Sequence, residues 1–262
     1  MPDTDSVKVI REGGLVQLVL NRPSVINAFD VEMAERFATA MQAIAADQTV
    51  RCVVLRGEGR GFCAGGDVAS FGSDEAALER LETLITRLHA GIDQMTRLAV
   101  PTVGILHGAV AGAGLSLSLA CDFAVASETT KFTLAYSKLA ATPDGGATWS
   151  LPRLVGTRKA LEIALLSEVF GAEDALRLGL LNRVVPADTV LDEGLAFARR
   201  LAAGPTAAYA RAKSLILGSL GTTLPEQLDR ERAAFLASAR TRDFAEGKDA
   251  FMNKRPPVFE GR

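Results

Sequence analysis

The chain has 262 residues, 48% apolar and 23% charged, with 29 basic against 31 acidic side chains. That balance describes a folded protein with a full core rather than a disordered chain, and a formal charge of −2 gives no general attraction to nucleic acid or an anionic membrane. Three scattered cysteines (Cys52, Cys63, Cys121) and two histidines exclude a disulfide framework and a zinc spacing, so no metal is expected.

In chain order, the polar, acidic start from Met1 to Ser6 is unlike a secretory or transit peptide, which together with reduced thiols implies a cytoplasmic protein. Val7 to Ile10, a Gly13-Gly14 turn and the alternating run Leu15 to Leu20 predict a hairpin. Ala34, Phe37, Ala38, Met41, Ile44 and Ala45 recur at helical spacing over residues 30 to 46. A short apolar strand, Cys52 to Leu55, precedes a glycine-rich loop from Gly57 to Gly66 and a small, polar loop over residues 68 to 75. Leu81, Leu84, Ile85, Leu88 and Ile92 mark the next helix. From Leu98 to Cys121 there is no charged residue, a length that matches a membrane span, but Pro101 and four glycines interrupt it. A buried strand (Thr102 to Leu106), a glycine turn and a buried helix (Gly114 to Cys121) fit it better, so no membrane partner is expected. Phe123 to Ala126 and a short stretch near Phe132 predict further strands. Beyond residue 186 only helical signals remain, at 189–203, 206–218, 225–239 and 241–254. This predicts an α/β fold: a body over residues 1–200 and a helical region over residues 201–262.

Two glycine-rich turns each follow a predicted buried strand, Arg60 to Asp67 and His107 to Gly114. Small residues there let a ligand approach the backbone, so that N–H groups meet an anion. Leu117 stands where a dinucleotide fingerprint needs its third glycine, no Gly-Lys-Ser/Thr phosphate loop occurs, and the closing glycine of a nucleophile elbow is missing after Ser116. Ser116 is then a small helix residue and His107 a strand-end residue. Asp144, in Thr142-Pro143-Asp144-Gly145-Gly146, is the only acid between Glu128 and Glu162. A lone carboxylate in apolar surroundings suits a general base, while an Asp ahead of Ala147 to Leu151 equally suits a helix N-cap. Two backbone donors and one base together suit proton removal beside a thioester, with the enolate oxygen held by the donors.

The ordered motifs identify a resemblance over essentially the whole chain. They are Asn21-Arg22-Pro23 with Asn27-Ala28, Gly59 to Asp67, Gly108 to Gly114 with Cys121-Asp122, Leu151 to Gly156, Ala172 to Ala175 with Gly179-Leu180, and Glu246-Gly247 with Phe251 and Lys254. The chain resembles the crotonase (enoyl-CoA hydratase/isomerase) family. The resemblance implies a spiral of ββα units followed by a helical trimerisation region, an acyl-CoA thioester as partner, and a homotrimer or dimer of trimers. It further implies an oxyanion hole from the N–H groups of Gly66 and Ala113, with Val25, Ala28, Ala64 and Asp67 along the CoA, Tyr136 beside the substrate, and Phe251 and Lys254 reaching toward CoA. CoA would enter as part of the substrate, with no other cofactor.

The departures from the family pattern bear on the reaction. Its hydratases use two glutamates, at positions where this chain has Ser116 and Tyr136. Hydroxyls at ordinary pKa are poor bases at neutral pH. Asp144 falls where related isomerases and dehalogenases keep a catalytic aspartate, and Phe132 to Val155 is most similar to the ring-epoxide phenylacetyl-CoA isomerase type. The expected function is an acyl-CoA isomerase, with an enoyl-CoA hydratase or a noncatalytic acyl-CoA binder as alternatives. A dehalogenase would need a histidine base, and the sequence does not place His89 in the site.

Overall fold

The computed structural model describes residues 5–262, and the first four residues of the acidic N-terminal stretch lie outside the described residues. Strands β1 (Val7–Glu12) and β2 (Leu15–Leu20) form the predicted hairpin across Gly13-Gly14. Helix α1 (Val31–Ala46) begins at Asp30, whose carboxylate accepts the Met33 N–H at 2.9 Å. β3 (Cys52–Gly57), α2 (Ala77–Thr96) and β4 (Thr102–Leu106) follow. The uncharged stretch then divides into β4, β5 (Ala109–Ala111) and α3 (Ala113–Ala120), and no described helix is long and apolar enough to cross a membrane.

The rest of the body comprises β6 (Phe123–Ser127), β7 (Lys131–Thr133), α4 (Ala147–Leu166), β8 (Phe170–Gly171), α5 (Ala172–Arg177), β9 (Arg183–Val185) and α6 (Val190–Ala202). Six strands form one sheet in the order β1-β2-β3-β4-β6-β9, parallel from β2 onward, and β5-β7-β8 form a second. Alternate residues of the large sheet feed two cores. Val16, Leu18, Val53 and Leu55 pack with Phe37, Met41 and Leu88 of α1 and α2. Cys52, Val54, Val103 and Ile105 pack with Leu195 and Phe197 of α6. Both faces are covered, which is why these strands read as continuous apolar runs.

Sequence patterning missed β5, β8 and β9. Each has two or three residues, and β5 lies within a stretch that glycine and alanine mark as a turn. α4 is also longer than the predicted run after Asp144, because its two halves continue across Gly156, a residue with φ of 76°.

The tail consists of α7 (Thr206–Gly218), α8 (Leu224–Ala239) and α9 (Arg242–Met252). Lys213 of α7 meets the half-buried Asp122 at 2.8 Å, and that carboxylate oxygen also accepts the Thr102 N–H at 2.8 Å, which latches α7 to the sheet. The C-terminus folds back so that the buried Asp243 accepts the N–H groups of Glu260 and Gly261 at 2.7 and 2.8 Å. Leu220, Leu224, Phe235, Phe251 and Met252 remain exposed along these helices.

Asn27 holds the loops above the sheet together. It is fully buried, its Nδ2 lies 2.9–3.1 Å from the carbonyls of Glu58, Gly61 and Phe62, and its Oδ1 accepts the Arg22 N–H at 2.8 Å. Removing the amide strands several buried polar groups, at about 1–3 kcal/mol for each group left unsatisfied. Asn27→Ala should therefore lower the unfolding free energy by about 3 kcal/mol, read as a shift of the denaturant midpoint with an unchanged slope.

Candidate active site

The site lies where the two glycine turns meet. The Phe62 and Cys63 N–H groups donate to the carbonyls of His107 and Ala109 at 2.8 and 3.1 Å, and the Ala111 N–H returns to Cys63 at 2.9 Å. On the other side the Phe29 N–H donates to Gly65 and the Asp67 N–H to Phe29, both at 2.8 Å. The turn is thus pinned on both flanks while the Gly66 N–H has no acceptor among the described residues. Ala113 opens α3, and the Leu115 and Ser116 N–H groups both donate to Gly112. The Ala113 N–H is one of the free donors that every helix N-terminus leaves.

The two turns touch at Gly65, which has φ of 108°. A methyl group there would sit 3.2 Å from the Ala111 oxygen and 3.5 Å from the Ala113 nitrogen, and L side chains rarely adopt that conformation. Beside it, burial pushes the Cys63 thiol up to about 12, so it stays an un-ionised packing group.

Arg22 and Asn27 support this corner. The Arg22 guanidinium donates to the Ala28 carbonyl and pairs with Asp30 at 2.9 Å and Asp67 at 3.0 Å. Val25 (exposed), Ala28 (buried) and Ala64, whose N–H donates to Ile26 at 2.9 Å, border the same junction. The Asp67 carboxylate is engaged by Arg22. Phe251 and Lys254 are exposed at the end of α9, which packs chiefly on α8, and no described contact within the chain joins them to this corner.

Asp144 is reached through α3. Ser116, buried in its first turn, donates through Oγ to the Asp144 carbonyl at 2.8 Å. Ser116 follows Ala113 by three residues, a rise of about 4.5 Å along a helix. One helical turn thus carries both a free backbone donor and the anchor for the acid.

The side chain of Asp144 is no helix cap. Gly146 occupies the cap position of α4, with no side-chain cap bond. Gly145 and Gly146 have φ of 60° and 83°, so the chain turns between the acid and the helix. The Tyr136 hydroxyl instead donates to Asp144 Oδ1. Tyr136 sits on a 3-10 turn, Tyr136–Leu139, flanked by Ala135 and Ala140 at φ of 60° and 54°. Such left-handed alanines are strained by about 1 kcal/mol or more each, and here they fix the phenol's approach.

His89, on α2, was not legible as a site residue. Its Nε2 accepts the Gly145 N–H at 3.0 Å and lies 3.8 Å from Asp144 Oδ2. The sequence holds only two histidines, which is the one signal that marked it; the second, His107, bonds the Gly59 carbonyl at 2.8 Å. Two backbone donors and a carboxylate with a phenol on one oxygen and an imidazole near the other can hold an oxyanion and move a proton.

Burial, followed by the Asp144 charge, raises the Tyr136 phenol well above its ordinary value of 10.0. A raised phenol favours the folded state below its unfolded pKa and loses that contribution as pH rises. The stability difference between wild type and Tyr136→Phe should therefore shrink above pH ~10, by about 1.4 kcal/mol per pH unit. Denaturant titrations of both proteins between pH 8 and 12 measure it.

Comparison with known proteins gives the site its context. A family model described as enoyl-CoA hydratase/isomerase matches residues 11–262. The chain is 36% identical over 259 residues to the 1,2-epoxyphenylacetyl-CoA isomerase of Escherichia coli (strain K12), covering 96% of this chain and 97% of that protein. It is 37% identical over 250 residues to a probable enoyl-CoA hydratase of Rhodobacter capsulatus, covering 95% of each. The crystal structure of an enoyl-CoA hydratase from Polaromonas sp. JS666 superposes with a TM-score of 0.92 at 36% identity, covering 97% of this chain and 99% of that one.

Proposed function

The chain belongs to the enoyl-CoA hydratase/isomerase family, and on that premise we propose that it is an acyl-CoA isomerase working with a single acid. The thioester carbonyl sits against the N–H groups of Gly66 and Ala113, which carry the negative charge as the adjacent carbon is deprotonated. Asp144 takes that proton and returns it to another carbon of the acyl chain, so the double bond moves and the carboxylate is regenerated. The observation that carries this reading is the state of the two positions where the family's hydratases keep glutamates. Ser116 and Tyr136 both bond to Asp144, one through its carbonyl and one through Oδ1. Both groups are committed to holding one acid, and no second carboxylate contacts it among the described residues.

The similarity to an epoxyphenylacetyl-CoA isomerase supports an aromatic or ring-epoxide acyl group as one substrate class beside unsaturated chains. The exposed apolar residues of the tail support self-association through these helices, and the family resemblance makes the assembly a homotrimer or dimer of trimers. Hydration of an enoyl-CoA is the second reading, favoured by the relatives named as hydratases.

Asp144→Asn should lower kcat/KM for conversion of a 3-enoyl-CoA to its 2-enoyl isomer by about 10²–10⁴-fold, the range of a lost general base. Equal rates would remove Asp144 from the mechanism. Tyr136→Phe should cost about tenfold in kcat, consistent with loss of one hydrogen bond to a charged group, with little change in KM. Steady-state kinetics on both variants separate the base from its support.

A further inference from the structure

We infer that His89 is the proton port of this site, a relay through which Asp144 exchanges its proton with solvent; the inference rests on the isomerase reading above. The two oxygens of Asp144 are unlike. Oδ1 accepts from Tyr136, so Oδ2 is the oxygen left to carry a transferred proton. Oδ2 faces His89 Nε2 at 3.8 Å. The Asp144 side chain is 24% exposed and that of His89 is 47% exposed, so the imidazole spans the distance from the half-buried acid to bulk water.

The tautomer follows from the bonding. Nε2 accepts the Gly145 N–H, so it carries a lone pair and the neutral ring holds its proton on Nδ1. When Asp144 has taken a proton from the acyl chain, the ring first gives up its bond to Gly145 and closes the 3.8 Å gap to Oδ2. The Oδ2–H bond then breaks as an Nε2–H bond forms on the freed lone pair, leaving a carboxylate and an imidazolium. A protonated Nε2 is no longer an acceptor, so the ring does not rebond to Gly145 until the proton has left. The released side chain turns outward, gives the Nε2 proton to water, and returns neutral to Gly145. Run in reverse, the same steps deliver a solvent proton to Asp144. Proton return to the substrate therefore competes with exchange, and His89 sets the exchange rate.

The test is the isomerisation of a 3-enoyl-CoA in deuterium oxide, with deuterium counted per molecule of product by mass spectrometry. Wild type should place deuterium in most product molecules. In His89→Gln the amide oxygen can still accept the Gly145 N–H but does not take a proton at neutral pH, so each product should carry at least threefold less deuterium. His89→Asn, too short to reach Gly145, gives a second reading of the same ratio should the first variant fold poorly, and it too should label less. Unlabelled wild-type product, or equal labelling in the variants, overturns the relay. Absence of any isomerised product from wild type overturns the isomerase reading and the relay with it, an outcome distinct from the other two.

Discussion

The hydrogen bond from Ser116 Oγ to the Asp144 carbonyl joins the two halves of this site. Without it, a free N–H at the start of α3 and a carboxylate on a distant Pro/Gly turn are unrelated features. With it, both are referenced to the first turn of one short buried helix. That helix is itself fixed by the ladder between the glycine turns, which aligns Cys63 with Ala109 and Ala111. Asn27 and Arg22 then close the corner from the other side. The geometry for acid and donors is thus built mainly from backbone carbonyls and amides, which are obligatory bonding groups with little freedom to reorganise. A preorganised polar site of this kind is what stabilisation of an enolate oxygen requires.

Relatives on this scaffold are named both as isomerase and as hydratase, and on the proposed reading two side chains make the difference here. Ser116 and Tyr136 replace acids with neutral hydroxyls, and each donates to Asp144. Tyr136 occupies one carboxylate oxygen, and its phenol is pushed far above physiological pH by burial, so it acts as a donor throughout the working range. The acid is left with a single free oxygen beside His89. On the proposed reading, one acid with one available oxygen suits successive removal and return of a proton better than division of that work between two bases.

Much of the fold was legible because its signals are local. Met33, Phe37 and Met41 lie on one buried face of α1, and the nearly unbroken apolar runs of β2 and β3 mark strands covered on both faces. The two glycine turns were legible because close backbone approach leaves a mark in small residues, whereas Gly66 and Ala113 came as individual donors only from the family resemblance; Asp144 stood out because no other acid is near it in sequence. The cap reading of Asp144 failed for a conformational reason: two left-handed glycines separate it from the helix it precedes. Tyr136 was legible as a position but not as a donor to Asp144, since direction depends on the strained turn that carries it. His89 was named only as the histidine a dehalogenase would need and was not placed in the site, because it reaches Gly145 across 56 residues of chain from a helix whose periodicity reports only its buried face. The strands β5 and β8 escaped because two or three residues carry no period.

The central claim is that one acid, supported by two hydroxyls, moves protons rather than adding water. It is tested most directly by the fate of solvent oxygen. Turnover of a panel of unsaturated acyl-CoA thioesters in ¹⁸O-labelled water should give isomerised products free of the label as the dominant outcome. A predominant 3-hydroxyacyl-CoA product carrying ¹⁸O would contradict the account and show that this site activates water despite lacking both glutamates.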